Sequence, residues 1–166
     1  MEIPIAVRAL WAEFAASWPS DPTPRFYEAF HFDDNASDAD GLAELVLQGT
    51  KRATAGLVWA FESANKPLPR PGDLSVVTRF SGEPVCVIET RSVRIVPFAE
   101  VDADFAAVEG EGDGSLAHWR RAHTAYFGRE CARLGREFSG VMPVVCEEFR
   151  VVSGAKAGDV RRLRCR

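Results

Sequence analysis

The run Gly49-Thr50-Lys51-Arg52-Ala53-Thr54 places two cations and two hydroxyls directly after a glycine. Lys51 and Thr54 are three residues apart, so they share a face on a helical turn and oppose each other on an extended segment. A lysine held against an apolar wall can release its proton and serve as a base, and a neighbouring hydroxyl can then become a nucleophile. Kept charged, the same lysine steadies a developing oxyanion or meets a phosphate, with Arg52 beside it. The ordinary alternative is a helix C-terminus, where basic side chains complement the dipole. The run is not a Walker-type phosphate cradle. That pattern needs Lys directly after the second Gly and another Gly five positions earlier, where this chain has Thr50 and Glu44.

A second reactive stretch is Glu109-Gly110-Glu111-Gly112-Asp113-Gly114. Its carboxylates could hold a divalent metal, act as general acid or base, or simply be solvated. The calcium-loop pattern of the EF-hand is absent, and Asp113 or Ser115 suits the N-cap of the helix that follows. Glu109 closes the preceding helix, where an acid opposes the dipole. A tertiary partner would offset that, and Lys51 is the natural one. His118 and His123 are five apart rather than four, so they do not form the zinc pair of a metalloprotease helix; each reads as a core or surface histidine. Cys86, Cys131, Cys146 and Cys165 contain no Cys-x-x-Cys. No metal and no cofactor is inferred.

The elements around these stretches are legible from periodicity. Ile5, Leu10, Trp11, Phe14 and Trp18 outline an N-terminal helix over 4–18 that ends at Pro19. Phe26 to Phe32 suits a short strand or a helical turn. Leu42, Leu45 and Val46 mark a helix that Asp33, Asp34, Asp38 and Asp40 would cap, with Gly49 as its left-handed stop. Leu74 to Phe80 and Val85 to Val96 read as strands joined by a turn at Ser81-Gly82-Glu83-Pro84. Pro97 opens a helix over Phe98 to Ala107. A longer one starts at Ser115, with Leu116, Trp119, His123, Tyr126, Phe127 and Leu134 facing inward. Val141 to Val152 is a last strand, which Pro143 places at an edge. Strands separated by helices, with one hairpin, argue for an α+β barrel-like sheet flanked by helices.

The 166 residues suit one domain with a sizeable core, and 46% are hydrophobic. The formal net charge is −4, so any nucleic-acid contact needs a local basic patch. Arginines 120, 121, 129, 133 and 136 form one such cluster, and the tail with Lys156, Arg161, Arg162, Arg164 and Arg166 another. No signal peptide or apolar span is evident, which points to the cytoplasm, without membrane association. No protein partner is inferable.

Taken in order, the motifs resemble the ASCH-domain proteins of the PUA-like superfamily. The similarity runs from about 42 to 152 and is carried by Leu45 to Thr54, Pro67-Leu68-Pro69 with Pro71-Gly72-Asp73, and Val85 to Thr90. Glu109 to Asp113, Ser115-Leu116, Trp119-Arg120, His123, Phe127 and Val144 to Phe149 complete it. The resemblance implies a PUA-like mixed β-barrel flanked by helices, and a cleft for RNA or a modified nucleoside. It implies RNA binding with ribonuclease activity for the longer branch, which this chain looks more like. For a shorter branch it implies hydrolysis of the N4-acetylcytidine amide by a Lys, a Thr and a Glu. Lys51 and Thr54 match that branch's Gly-x-Lys-x-x-Thr motif, and Glu109 its acid, with Glu111 as a rival. A third expectation is a non-catalytic RNA or ligand-binding module with a structural Lys51–Glu109 pair. Gly49, Arg52, Arg79, Glu111, Trp119 and Arg120 are the expected substrate contacts. Trp59 and Tyr126 are expected to stack on bases, worth roughly 1–3 kcal/mol per base.

Overall fold

The apolar residues of the N-terminal pattern form helix α1 (Arg8–Ser17), entered through a 3-10 turn at Ile5–Val7. A computed structural model describes residues 2–154; the basic tail and Cys165 lie outside the described residues. The described residues divide into two compact units, the first made of 2–49, 72–90 and 150–154, the second of 50–71 and 91–149. In the first, Trp11 and Phe14 of α1 pack with Val7, Phe26, Leu74, Val76 and Val87. Strand β1 (Phe26–Phe30) settles the ambiguity of the aromatic run in favour of a strand. It pairs in parallel with β3 (Leu74–Thr78), and β3 pairs antiparallel with β4 (Pro84–Pro97). Every residue of β3 is buried, as expected of a strand covered on both faces.

Helix α2 (Ala36–Leu47) begins earlier than its apolar face suggested. Asn35 caps it by accepting from the Asp38 N–H, so Asp38 and Asp40 lie inside the helix rather than before it. The acid in the first turn still meets the positive end of the dipole. Gly49 stops the helix at φ +76°, as expected. Arg79 sits past the end of β3 and pairs loosely with Glu83 at 3.8 Å. In the same unit Glu89 bridges Arg25 and Arg150, each at 2.7 Å. Burial raises its carboxyl, and the two guanidiniums more than reverse this to hold it below the usual range.

The second unit contains β2 (Ala53–Leu57), α3 (Val58–Ser63), α4 (Ala103–Glu109) and α5 (Leu116–Leu134). Strand β2 pairs antiparallel with β5 (Pro143–Gly154), Thr54 opposite Glu147 and Leu57 opposite Val144. The core joins Ala53, Leu57, Phe98, Val101, Phe105, Trp119, Phe127 and Cys146. The helix expected from Phe98 is two pieces. A 3-10 turn covers Phe98–Glu100, and α4 starts only after Asp102, whose carboxylate accepts from the Phe105 N–H. Asp102 offers a better N-cap than Pro97, and the apolar residues of both pieces still turn inward.

The strand order is β1-β3-β4-β5-β2, a five-stranded mixed sheet. The edge position inferred for the last strand is thus corrected: β5 lies between β4 and β2. Pro143 is tolerated because it is the strand's first residue, where no ladder donor is needed. Strand β4 is buried from Val85 to Thr90 and largely exposed beyond. Among the described residues no helix is long and apolar enough to cross a membrane.

Candidate functional site

Strand alternation accounts for where Lys51 goes. Ala53, Ala55 and Leu57 turn one face of β2 into the core of the second unit, and Lys51 precedes them in the same phase. The segment is pinned on both sides, with the Arg52 N–H donating to Val108 O at 3.0 Å and the Phe149 N–H to Arg52 O at 2.9 Å. The Lys51 side chain is 0% exposed. Its ammonium donates to Ala53 O at 2.9 Å, to Glu111 Oε1 at 2.5 Å and to Glu109 Oε1 at 3.4 Å. An ammonium has only protons to offer these oxygens, whereas a neutral amine would aim its lone pair at one of them. The arrangement suits a charged, fixed donor rather than a base.

The partner expected for Glu109 is therefore in place, but Glu111 makes the shorter bond. The cause is Gly110. It ends α4 in the left-handed region at φ +68°, and a Cβ there would lie 2.1 Å from Thr50 O. Only glycine permits both the turn and the approach. The chain doubles back at that point, so carboxylates on either side of Gly110 reach one ammonium. Glu109 is 2% exposed at its side chain and Glu111 18%, which makes Glu111 the carboxylate of the pair that meets solvent.

Glu109 has further partners on α5. The Trp119 indole N–H donates to Oε2, and His123 Nε2 lies 3.5 Å from Oε1. The His123 ring stacks on Trp119 at 4.0 Å with a 13° tilt, and its Nδ1 lies 3.0 Å from the Trp119 carbonyl. A carbonyl only accepts, so Nδ1 carries a proton. Burial alone raises the Glu109 carboxyl. The charges of Lys51 and His123 and the hydrogen bonds from His123 and Trp119 outweigh it and hold the group down at about 2. His123 belongs to the centre, although the sequence read it as a core or surface histidine. The available signal was its place one helical turn from Trp119, facing the end of α4.

The other expected contacts are distributed more widely. Thr54 is half-buried on β2, and alternation turns it to the face opposite Ala53 and Leu57. Arg52 is exposed. Trp119 is 2% exposed, so it serves the centre from within the wall and not as an open contact surface. Arg120 donates to the carbonyls of Phe98, Ala99 and Val101, which ties down the turn before α4. Trp59 and Tyr126 pack against the core, with the guanidinium of Arg136 4.8 Å from the Trp59 ring and that of Arg129 5.7 Å from Tyr126. Gly49 and Arg79 belong to the first unit. Burial pushes the Cys146 thiol up to about 12, which makes it a poor nucleophile. Oxygens of Glu109 and Glu111 and a nitrogen of His123 fall within 4.8 Å of one another. The Lys51 ammonium already bonds both carboxylates and is the cation of this cluster.

Comparison with known proteins comes to the same stretch of chain. The ASCH domain family matches residues 28–153. The structure is similar to the crystal structure of an ASCH domain from Lactobacillus crispatus, with TM-score 0.85 and 35% identity over 92% of this chain and 98% of that one. It is also similar to the crystal structure of protein EF3133 from Enterococcus faecalis, with TM-score 0.78 and 26% identity over 90% of this chain and 89% of that one. No curated protein matches.

Proposed function

We propose that this chain, which belongs to the ASCH-domain family, is an RNA-interacting protein that cleaves RNA at the Lys51 centre. Its helices and five-stranded mixed sheet are the PUA-like α+β architecture of that family. The observation that carries the reading is the partly exposed Glu111 carboxylate, held at 2.5 Å by a wholly buried ammonium. Glu111 takes the proton of a ribose 2′-hydroxyl. The 2′-oxygen forms a bond to the adjacent phosphorus, the bond from phosphorus to the 5′-oxygen breaks, and the proton held by Glu111 passes through a water to the 5′-oxygen. Lys51 fixes the carboxylate. Arg52, exposed one residue further on, pairs with the phosphate. Glu109 is held too acidic to be the base and keeps Lys51 charged and in place.

A second reading has its own observation. Lys51 faces two carboxylates, and such a centre favours a neutral amide over a phosphate. Hydrolysis of an N4-acetylcytidine-like nucleoside would use Glu111 to take a proton from a water that attacks the amide carbon; the carbon–nitrogen bond then breaks and the cytosine amine takes the proton. Incubation with a mixed RNA pool and with N4-acetylcytidine, followed by mass spectrometry, separates the readings. Cyclic-phosphate ends abolished by Glu111→Gln support the ribonuclease. Released acetate and cytidine support the amidohydrolase. Intact substrates in both tubes leave a binding module.

A further inference from the structure

We propose that Trp119 and His123 are positioning residues: one turn apart on α5, they hold the two oxygens of Glu109 so that Lys51 stays fixed as the donor of the centre. This rests on the reading of the Lys51 centre as hydrolytic. Neither side chain is open to a substrate, since Trp119 is 2% and His123 7% exposed. Both act through the carboxylate instead. The Trp119 indole N–H takes Oε2, which leaves Oε1 for Lys51 at 3.4 Å and His123 at 3.5 Å. The imidazole itself has little freedom. Its Nδ1 is tied to the Trp119 carbonyl, its face lies on the indole at 4.0 Å, and Phe127 meets it edge-on at 5.3 Å. With those contacts made, Nε2 points at Glu109, and in the doubly protonated ring, whose charge acts on that carboxylate, it donates there.

The arrangement is costly if it serves packing alone. A buried carboxylate and ammonium give up their hydration, and apolar residues of similar volume stabilise a core at least as well. Here the fold surrounds one carboxylate with donors from two separate segments, the lysine before β2 and the paired rings of α5. The carboxylate is thereby locked in one rotamer, and the ammonium it faces is locked with it. A displacement of about 1 Å at such a centre can cost on the order of 100-fold in rate.

The test uses Trp119→Phe, which keeps a ring and removes the N–H, and the pair His123→Gln and His123→Phe, of which only the first can donate. Turnover is read on the mixed RNA pool and on N4-acetylcytidine. The expected result is a kcat lower by about 10-fold to 100-fold in Trp119→Phe and His123→Phe, with KM unchanged. His123→Gln should recover most of the rate. Carboxyl-carbon NMR of Glu109 gives a readout that does not depend on activity: its titration midpoint should move upward in Trp119→Phe and His123→Phe. Wild-type midpoints in both folded variants would overturn the clamp, as would a wild-type kcat in both while Lys51→Ala is inactive. A shifted midpoint in a protein whose Lys51→Ala variant loses no turnover would sustain the clamp and remove the hydrolytic reading.

Discussion

Lys51 and Glu111 answer to different tests because their burial differs. Lys51→Ala leaves Glu109 enclosed without its ammonium, so the variant should lose about 3–5 kcal/mol of stability whatever its role in turnover. Glu111→Gln keeps the shape of a side chain that water already reaches. We expect it to melt within a few degrees of the wild type and to lose about 100-fold in turnover, checked by paired melting curves and product analysis. Glu109 should be visible in acid. Its carboxyl lies at about 2 in the folded chain against an ordinary 4.5. A depressed folded value means that the stabilisation is complete above 4.5 and is lost as pH falls from there toward 2. Urea unfolding across that window should show a steeper loss in the wild type than in Glu109→Gln; parallel curves would remove Glu109 from the balance.

At the scale of elements, the end of α4 and the start of α5 govern the centre. Gly110→Ala combines a left-handed φ with a Cβ placed against Thr50 O. It should cost about 1–3 kcal/mol or more and pull the Glu111 loop away from Lys51, so stability and turnover fall together. Ser115→Ala is the matched control. It removes the cap of α5 at about 1 kcal/mol and leaves the Lys51 hydrogen bonds alone. Arg120 is a structural brace in the same sense. Its guanidinium is committed to three backbone carbonyls, so Arg120→Ala should lower the melting temperature without changing RNA affinity. An affinity loss with no stability change would return Arg120 to the substrate contacts.

For the whole molecule, the excess of acids limits how the proposed RNA ligand would be held. With a net charge of −4 there is no long-range attraction for a polyanion, and binding must come from a few cations such as Arg52. The logarithm of RNA affinity should therefore fall with the logarithm of salt at a shallow slope, and Arg52→Ala should reduce that slope by about one. Fluorescence anisotropy over a salt series measures both. Binding indifferent to salt would point to a small neutral nucleoside.

Near-neighbour chemistry was enough to read much of this protein. Gly49 and Ser115 marked helix ends because a left-handed stop and a hydroxyl cap are local requirements. The poor fit of Glu109 to its own helix dipole pointed to Lys51 before any distance was known. The two-stage entry to α4 and the true start of α2 were misplaced, since Asp102 and Asn35 compete as caps over only a few residues. Other features depended on segments distant in sequence. That Glu111 outdoes Glu109 as the Lys51 partner follows from the approach of Gly110 to the Thr50 carbonyl. The burial of Trp119, the engagement of His123 and the interior place of β5 follow from what packs beside them. Periodicity and capping act within a few residues and are written in the chain; charge pairing and burial depend on which distant surfaces meet, and only the folded arrangement decides that.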